Sequence, residues 1–228
     1  VNFIYQATRF AVVSDSTLDE FIERGFDRNK FTIVQNAFDK QNFPMAVGEK
    51  NPYRTITYFG RLKKYKSVDH LFRAFAIVKK NIDNVKLEII GRGDFRPYLE
   101  NLSDELSISD SVIFHGFVDD TKKVELLSKS HIVVNTSMKE GWGITNIEAN
   151  ACGTPVVSAN VPGLKDSVNN GVSGLLYEYG NINQLADRLI QILEDDNLRN
   201  QLSFGAVEWA DNFSWEESAR RMINLMNE

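Results

Sequence analysis

Thr136-Ser137-Met138-Lys139-Glu140-Gly141-Trp142-Gly143-Ile144-Thr145-Asn146-Ile147-Glu148-Ala149-Asn150-Ala151-Cys152-Gly153-Thr154-Pro155-Val156-Val157-Ser158-Ala159-Asn160-Val161-Pro162 decides how this chain reads. A β-branched run, Ile132-Val133-Val134, precedes it, and a second, Val156-Val157, falls near its end. That spacing predicts strand, glycine-rich loop, short helix, tight turn and strand. Gly141 and Gly143 permit unusual backbone angles and let N–H groups approach a ligand, and a helix starting near Thr145 adds the positive end of its dipole. The arrangement predicts a phosphate site. Two carboxylates frame it. Phosphate would repel Glu140 and Glu148, so each must face neutral donors, and the vicinal hydroxyls of a sugar or ribose meet that need. Thr145-x-x-Glu148 is also a capping box, in which Glu148 only satisfies a backbone N–H at the helix start. Both readings stand at this level.

At 228 residues with 43% hydrophobic content the chain can bury a full core, which predicts one large domain or one and a half. The net charge of −5 gives no molecule-wide field that attracts nucleic acid or an anionic membrane. Cys152 is the single cysteine, so it has no thiol to pair with and is expected to be buried and inert in a reducing compartment. No run reaches the roughly eighteen apolar residues of a membrane span, and no charged-then-apolar signal opens the chain. The expected location is cytoplasmic. The chain starts at Val1, without an initiator Met and directly in structured-looking sequence, which predicts that something upstream is missing.

Further out, Phe10 to Ser14 reads as a short strand, followed by a helix from Thr17 to Arg24 capped by Asp15 or Ser16 and ended by Gly25. A second strand is expected over Phe31 to Val34, and residues 40–52 read as a linker. From Thr55 the pattern becomes regular. Strands are expected at Thr55 to Phe59, Val85 to Ile90, Ser111 to Phe114, His131 to Thr136, Pro155 to Ala159 and Gly174 to Tyr177. Helices are expected between them at Val68 to Lys80, Phe95 to Leu106, Thr121 to Ser128, Thr145 to Cys152 and Leu164 to Asn169, and after them at Asn183 to Glu194, Leu198 to Asp211 and Trp215 to Met226. Strands apolar on both sides, alternating with helices, predict an α/β fold with a doubly wound parallel sheet.

Position carries the functional signal. Gly60-Arg61, Gly91-x-Gly93, His115-Gly116-Phe117 and the Glu140 loop each follow a predicted strand, and in an open parallel sheet those ends gather on the ligand-binding edge. Arg61 offers a planar fork of donors and Lys66 a mobile point charge, both suited to a diphosphate, before a helix that Ser67 can cap. Gly91-Arg92-Gly93-Asp94 starts like a dinucleotide fingerprint, but Arg96 stands where the third glycine is required, so the two glycines are read as clearing room for a nucleoside. His115 reads as a catalytic base or a structural histidine, Phe117-Val118 as a wall for a base or as core, and Trp142 as a ligand cover or a loop plug. His70, His115 and His131 show no paired spacing, and the chain holds no Cys cluster and no Asp-x-Asp. No metal site is expected, so protein cations and helix dipoles must balance any bound diphosphate.

Glu140 through Val157 resembles the two-glutamate motif of retaining glycosyltransferases of family four, the glycogen-synthase-like group with the GT-B fold. Gly60-Arg61-Leu62 with Lys66, Leu87-Glu88-Ile89-Ile90-Gly91-x-Gly93, Val112-Ile113-Phe114-His115-Gly116 and Gly171-x-x-Gly174-Leu175-Leu176 extend the likeness over nearly the whole chain. Trp142 replaces the Phe often found there, and Ser67 stands where the family usually has glycine. The resemblance implies a Rossmann-like C-terminal domain of a GT-B fold, with 1–39 the tail of the N-terminal acceptor domain plus the interdomain connection. Residues 40–54 become a linker, 55–212 the nucleotide-sugar donor-binding domain, and 213–228 a C-terminal helix crossing back toward the first domain. It implies catalytic roles for Glu140 at the transferred sugar and for Arg61 and Lys66 at the departing diphosphate. It implies donor binding by Gly60, Gly91, Gly93, His115, Gly116, Phe117, Val118, Gly141, Trp142, Gly143, Ile144, Thr145 and Glu148, the last at the ribose hydroxyls. The implied activity is sugar transfer from a UDP-sugar first, a GDP-sugar second, to a glycan or lipid-linked acceptor in surface polysaccharide or lipopolysaccharide synthesis. No cofactor, metal or nucleic acid is expected. Peripheral contact with the inner face of the membrane is expected through the absent acceptor domain, without which this chain binds donor but does not transfer sugar. A nucleotide-sugar hydrolase or epimerase of the same fold and a non-catalytic nucleotide-binding module are the alternatives.

Overall fold

The structure is a computed structural model that describes residues 8–227; residues 1–7 of the expected 1–39 tail and Glu228 lie outside the described residues. Near the start, β1 (Phe10–Val12) and β2 (Phe31–Ile33) pair in parallel, connected by α1 (Asp15–Glu23). The cap of α1 is Ser14, one residue before the expected ones. Its hydroxyl accepts from the Thr17 N–H at 3.1 Å, while the Ser16 N–H goes to Asp166 Oδ2 at 3.1 Å. Phe10, Phe21, Phe26 and Phe31 pack ring against ring and give this small unit its own apolar centre.

The main sheet contains β3 (Arg54–Phe59), β4 (Val85–Ile90), β5 (Val112–Gly116), β6 (Ile132–Asn135), β7 (Val156–Ala159) and β8 (Gly174–Tyr177). All six run parallel in the order β5-β4-β3-β6-β7-β8. The chain therefore grows outward from β3 in one direction, then returns to its other side at β6. That reversal is the topological switch point, and an open α/β sheet binds ligands at the carboxyl ends of the strands there.

Strand alternation sorts the two faces. Ile56 and Tyr58, with Leu87, Ile89, Ile132 and Val134, face one way and pack under α2 (Val68–Asn81), α3 (Arg96–Glu105) and α6 (Ile182–Glu194). Leu71, Phe72, Phe75 and Val78 recur at helical spacing on α2 and are fully buried, each contributing roughly 2 kcal/mol of apolar burial. The opposite face carries Phe59, Val133 and Val156 beneath α4 (Asp120–Lys129) and α5 (Ile144–Ala151). Cys152 is fully buried on this side, and burial pushes its thiol up to about 11.

Two expected helices differ. Leu164 to Asn169 forms only a single 3-10 turn, Lys165–Ser167, because the Ser167 hydroxyl bonds the Leu164 carbonyl at 2.7 Å and the following Asn-rich turn leaves no room to propagate. Ser67 does not cap α2. It sits in the left-handed region at φ 49°, and its hydroxyl meets that of Tyr179 at 2.9 Å. The stretch read as linker is fastened along its length. Lys50 Nζ donates to the Ser128 and Gly153 carbonyls and the Thr154 hydroxyl at 2.8 to 3.0 Å, and the Met45 N–H bonds the Ala151 carbonyl. After α7 (Asp196–Ala210), α8 (Trp215–Asn227) returns to the first unit, where the Ser218 hydroxyl donates to the Gln35 carbonyl at 2.7 Å.

Candidate functional site

The loops after β3, β4, β5 and β6 meet on one edge, and glycines let the first two touch. The Gly60 N–H bonds the Ile90 carbonyl and the Leu62 N–H bonds the Arg92 carbonyl, both at 3.0 Å. A Cβ on Gly91 would lie 1.9 Å from the Gly60 oxygen, and one on Gly93 would lie 2.0 Å from the Leu62 oxygen. Gly91 and Gly93 are therefore required by the neighbouring backbone, a need the sequence reading did not foresee, and Gly91 also lines the smaller cavity on this edge. Both set the course of the loop that carries Arg61 and Lys66.

That loop is joined to the Glu140 loop. Thr136 Oγ1 donates to the Lys66 carbonyl at 2.8 Å, and the Met138 N–H bonds the Tyr65 carbonyl at 3.1 Å. Across the junction Lys66 Nζ pairs with Glu140 Oε1, both side chains being less than a fifth exposed. Arg61 stands outside at the surface, with one guanidinium nitrogen 2.8 Å from the Tyr65 hydroxyl.

Beyond Glu140 the backbone turns into α5. Among the described residues, the amide N–H groups of Gly141, Trp142, Gly143, Ile144 and Thr145 bond no protein acceptor, whereas the Asn146 N–H already bonds the Gly143 carbonyl at 2.9 Å. Five consecutive free donors at a helix start form an anion-binding terminus. Neither loop glycine has a positive φ, but Gly143, at φ −86° and ψ 63°, lies outside the helical and extended regions. Gly143 is required for space, since a Cβ there would lie 2.3 Å from Ser167 Oγ, and Gly141 would meet only Val13 Cγ2 at 3.7 Å. Trp142 is the plug. It is buried with its ring 5.2 Å from that of Phe213. Buried Asn146 and Asn150 anchor the helix beneath, through Ser158 and Ser167 and through the Thr154 and Ser173 carbonyls. The Thr145 hydroxyl accepts from Asn135 Nδ2 at 3.2 Å.

On the α4 side of this terminus lies a cavity of about 340 Å³ whose lining includes Phe59, Ile90, Gly91, Phe117 and Val118, with Asp119, Asp120 and Lys123 from the start of α4. Phe117 is 73% exposed, with the Arg92 guanidinium 5.1 Å from its ring, so it is a wall and not core. His115 is turned away to structural work, its Nε2 being 3.2 Å from the buried Glu88 carboxylate. Glu148 makes no capping box. The helix starts two residues too early for Thr145 to cap it, and the carboxylate instead pairs with Lys123 at 2.9 Å. Burial pushes the Glu148 carboxyl above its ordinary value, and Lys123 opposes that push. Lys123 belongs to none of the motifs singled out in the sequence.

A larger cavity, about 1060 Å³, opens on the other side of the Arg61 loop beside Tyr65, Tyr98, Met138 and Tyr179. Neither cavity is lined by the free amides themselves; the smaller one is tied to α5 through Lys123, whose ammonium pairs with Glu148, and the larger one has no such link. Among the described residues, no group of three His, Cys, Asp or Glu side chains is placed to hold a metal, and no helix is long and apolar enough to cross a membrane.

The family model for glycosyl transferases group 1 matches residues 39–209, which include all six strands of the main sheet and the whole edge just described. The chain belongs to this family. Among curated glycosyltransferases, the uncharacterized glycosyltransferase MJ1607 of Methanocaldococcus jannaschii is 31% identical over 90% of the chain and 52% of its own length. The D-inositol 3-phosphate glycosyltransferase of Corynebacterium urealyticum is 30% identical over 90% of the chain and 53% of its own length. The chain thus spans about half the length of the curated glycosyltransferases it matches. Anabaena Alr3699/HepE in complex with UDP shares the fold at a TM-score of 0.86 and 22% identity, covering 97% of this chain and 64% of that one. The fold is that of a Rossmann-like half of a GT-B glycosyltransferase.

Proposed function

We propose that this chain is the donor-binding part of a retaining glycosyltransferase that uses a nucleotide-diphosphate sugar. One observation carries the reading: the free amides of Gly141 to Thr145 lie between a basic loop and a cavity beside the Glu148 carboxylate. A nucleoside diphosphate has matching parts in matching order. Its base lies against Phe117 and Val118, its ribose hydroxyls donate to Glu148, and its diphosphate receives the amides with Arg61 and Lys66. The neighbour bound to UDP supports uridine over guanosine as the base.

In the reaction, the bond between the sugar's anomeric carbon and the diphosphate oxygen breaks with its electron pair staying on the diphosphate, the acceptor hydroxyl oxygen bonds to that carbon on the face just vacated, and the hydroxyl proton passes to the departing diphosphate. Charge on the leaving group is stabilised by donors already fixed by the fold, which lowers the barrier without reorganisation. Glu140 faces the sugar, where positive charge develops in the oxocarbenium-like state. With Arg61, Lys66 and the helix terminus as counter-charge, donor binding needs no divalent ion. The acceptor, a glycan or lipid-linked glycan in surface polysaccharide or lipopolysaccharide assembly, is a reading that rests on the family resemblance. The placement in the cytoplasm at the inner face of the membrane rests on it equally.

Calorimetric titration of the chain with UDP and GDP, each with and without EDTA, tests the reading. UDP binds, EDTA leaves its affinity unchanged, and Arg61→Ala weakens it about tenfold through loss of a charge-assisted contact. Absence of binding by either nucleotide, or binding abolished by EDTA, overturns it.

A further inference from the structure

Lys123 is held more firmly than a surface lysine. Its Nζ lies 2.9 Å from Glu148 Oε1 and 3.0 Å from Asp120 Oδ1, and its side chain is 12% exposed. Two aromatic rings flank the ammonium at 5.5 Å each, Phe59 at the end of β3 and Phe43 from the connecting segment. Three separate elements thus fix one cation, and that cation lines the cavity beside Glu148.

A carboxylate has two oxygens and about four lone-pair sites. Lys123 occupies one site on Oε1, and no hydrogen bond to Oε2 is found among the described residues. The sites that remain suit two adjacent hydroxyls. We propose that Lys123 is a positioning residue for nucleoside recognition, holding Glu148 ionised and turned so that its carboxylate accepts from both ribose hydroxyls. The inference rests on the reading of Glu148 as the ribose acceptor.

The electrostatics agree with the geometry. Lys123 and Asp120 on α4 are the charged groups facing Glu148, and the Cys152 thiol beside it is neutral. Burial raises the Glu148 carboxyl, Lys123 lowers it and Asp120 raises it, so without the lysine both remaining influences favour the protonated acid. A protonated acid has lost an acceptor site and gained a donor where the diol needs acceptors.

The test compares UDP with 2′,3′-dideoxy-UDP by calorimetry on the chain, because their affinity ratio isolates the ribose hydroxyls from every diphosphate contact. In the parent protein the ratio is about tenfold and flat from about pH 6 to about pH 8.5. Lys123→Met lowers the ratio and makes it rise with pH, whereas Lys123→Arg keeps the parent's flat profile. A Lys123→Met ratio that matches the parent at every pH overturns the positioning role and leaves the ribose reading intact. A parent ratio near one, unchanged by Glu148→Gln, sinks the ribose reading and the inference together. Circular dichroism of Lys123→Met separates misfolding from lost recognition, and should that variant unfold, Lys123→Gln carries the same comparison.

Discussion

Lys66 and Glu140 are ion-paired across the junction of two loops, one following β3 and the other following β6, on either side of the switch point. Both side chains are largely covered, so the pair fixes the mutual position of the basic loop and the glycine loop. Removing one member leaves the other partly buried and unpaired, which costs more than the pair itself contributes.

Lys66→Met therefore weakens UDP binding about tenfold but leaves uridine, which has no phosphate, unchanged within about twofold. Parallel titrations check this. Equal loss for both ligands would place Lys66 at the nucleoside and not at the diphosphate.

Gly91→Ala destabilises the chain by roughly 2 kcal/mol or more, since its Cβ would enter the Gly60 carbonyl at a φ of +136°. Gly141→Ala, with only an ordinary contact to Val13, leaves the melting temperature almost unchanged. Thermal melts of the two variants give the contrast, and similar losses in both would show that loop packing does not explain Gly91.

Acidification acts through His131. Burial first, and then Arg199, Lys50 and Arg54, push its pKa down from 6.5 to about 4, and its Nδ1 accepts from the Thr55 N–H at 3.2 Å. Between those values the unfolded chain binds the extra proton, so this contribution is full above pH 6.5 and is lost as pH falls through about 4. The loss is on the order of 3 kcal/mol. Denaturant unfolding at stepped pH shows the slope, and His131→Asn, which keeps an acceptor, flattens it. An identical slope in the variant would assign the acid sensitivity to other groups.

Sheet, helices and edge were legible in the sequence because β-branched runs, helical spacing and strand-end glycines all pointed to one architecture. What a glycine was for was not. Gly91 and Gly93 answer to backbone oxygens from another strand's loop, a long-range contact that no local pattern records. Ser67, at the position where the resemblance expects glycine, adopts a left-handed φ of 49°, a conformation that glycine takes at lower cost. Glu148 matched a capping box in spacing, and only the packing of α4 against α5 brings Lys123 to it.

Amide chemical shifts of the chain during titration with UDP report on the loop donors residue by residue. With the diphosphate on the five free amides, Gly141, Trp142, Gly143, Ile144 and Thr145 shift most, and Gly116, Phe117 and Val118 move alongside them in one saturable event. Shifts confined to the wider groove around Tyr65, Tyr98 and Met138, with the five loop amides unmoved, would put the nucleotide there and rule out the amide site.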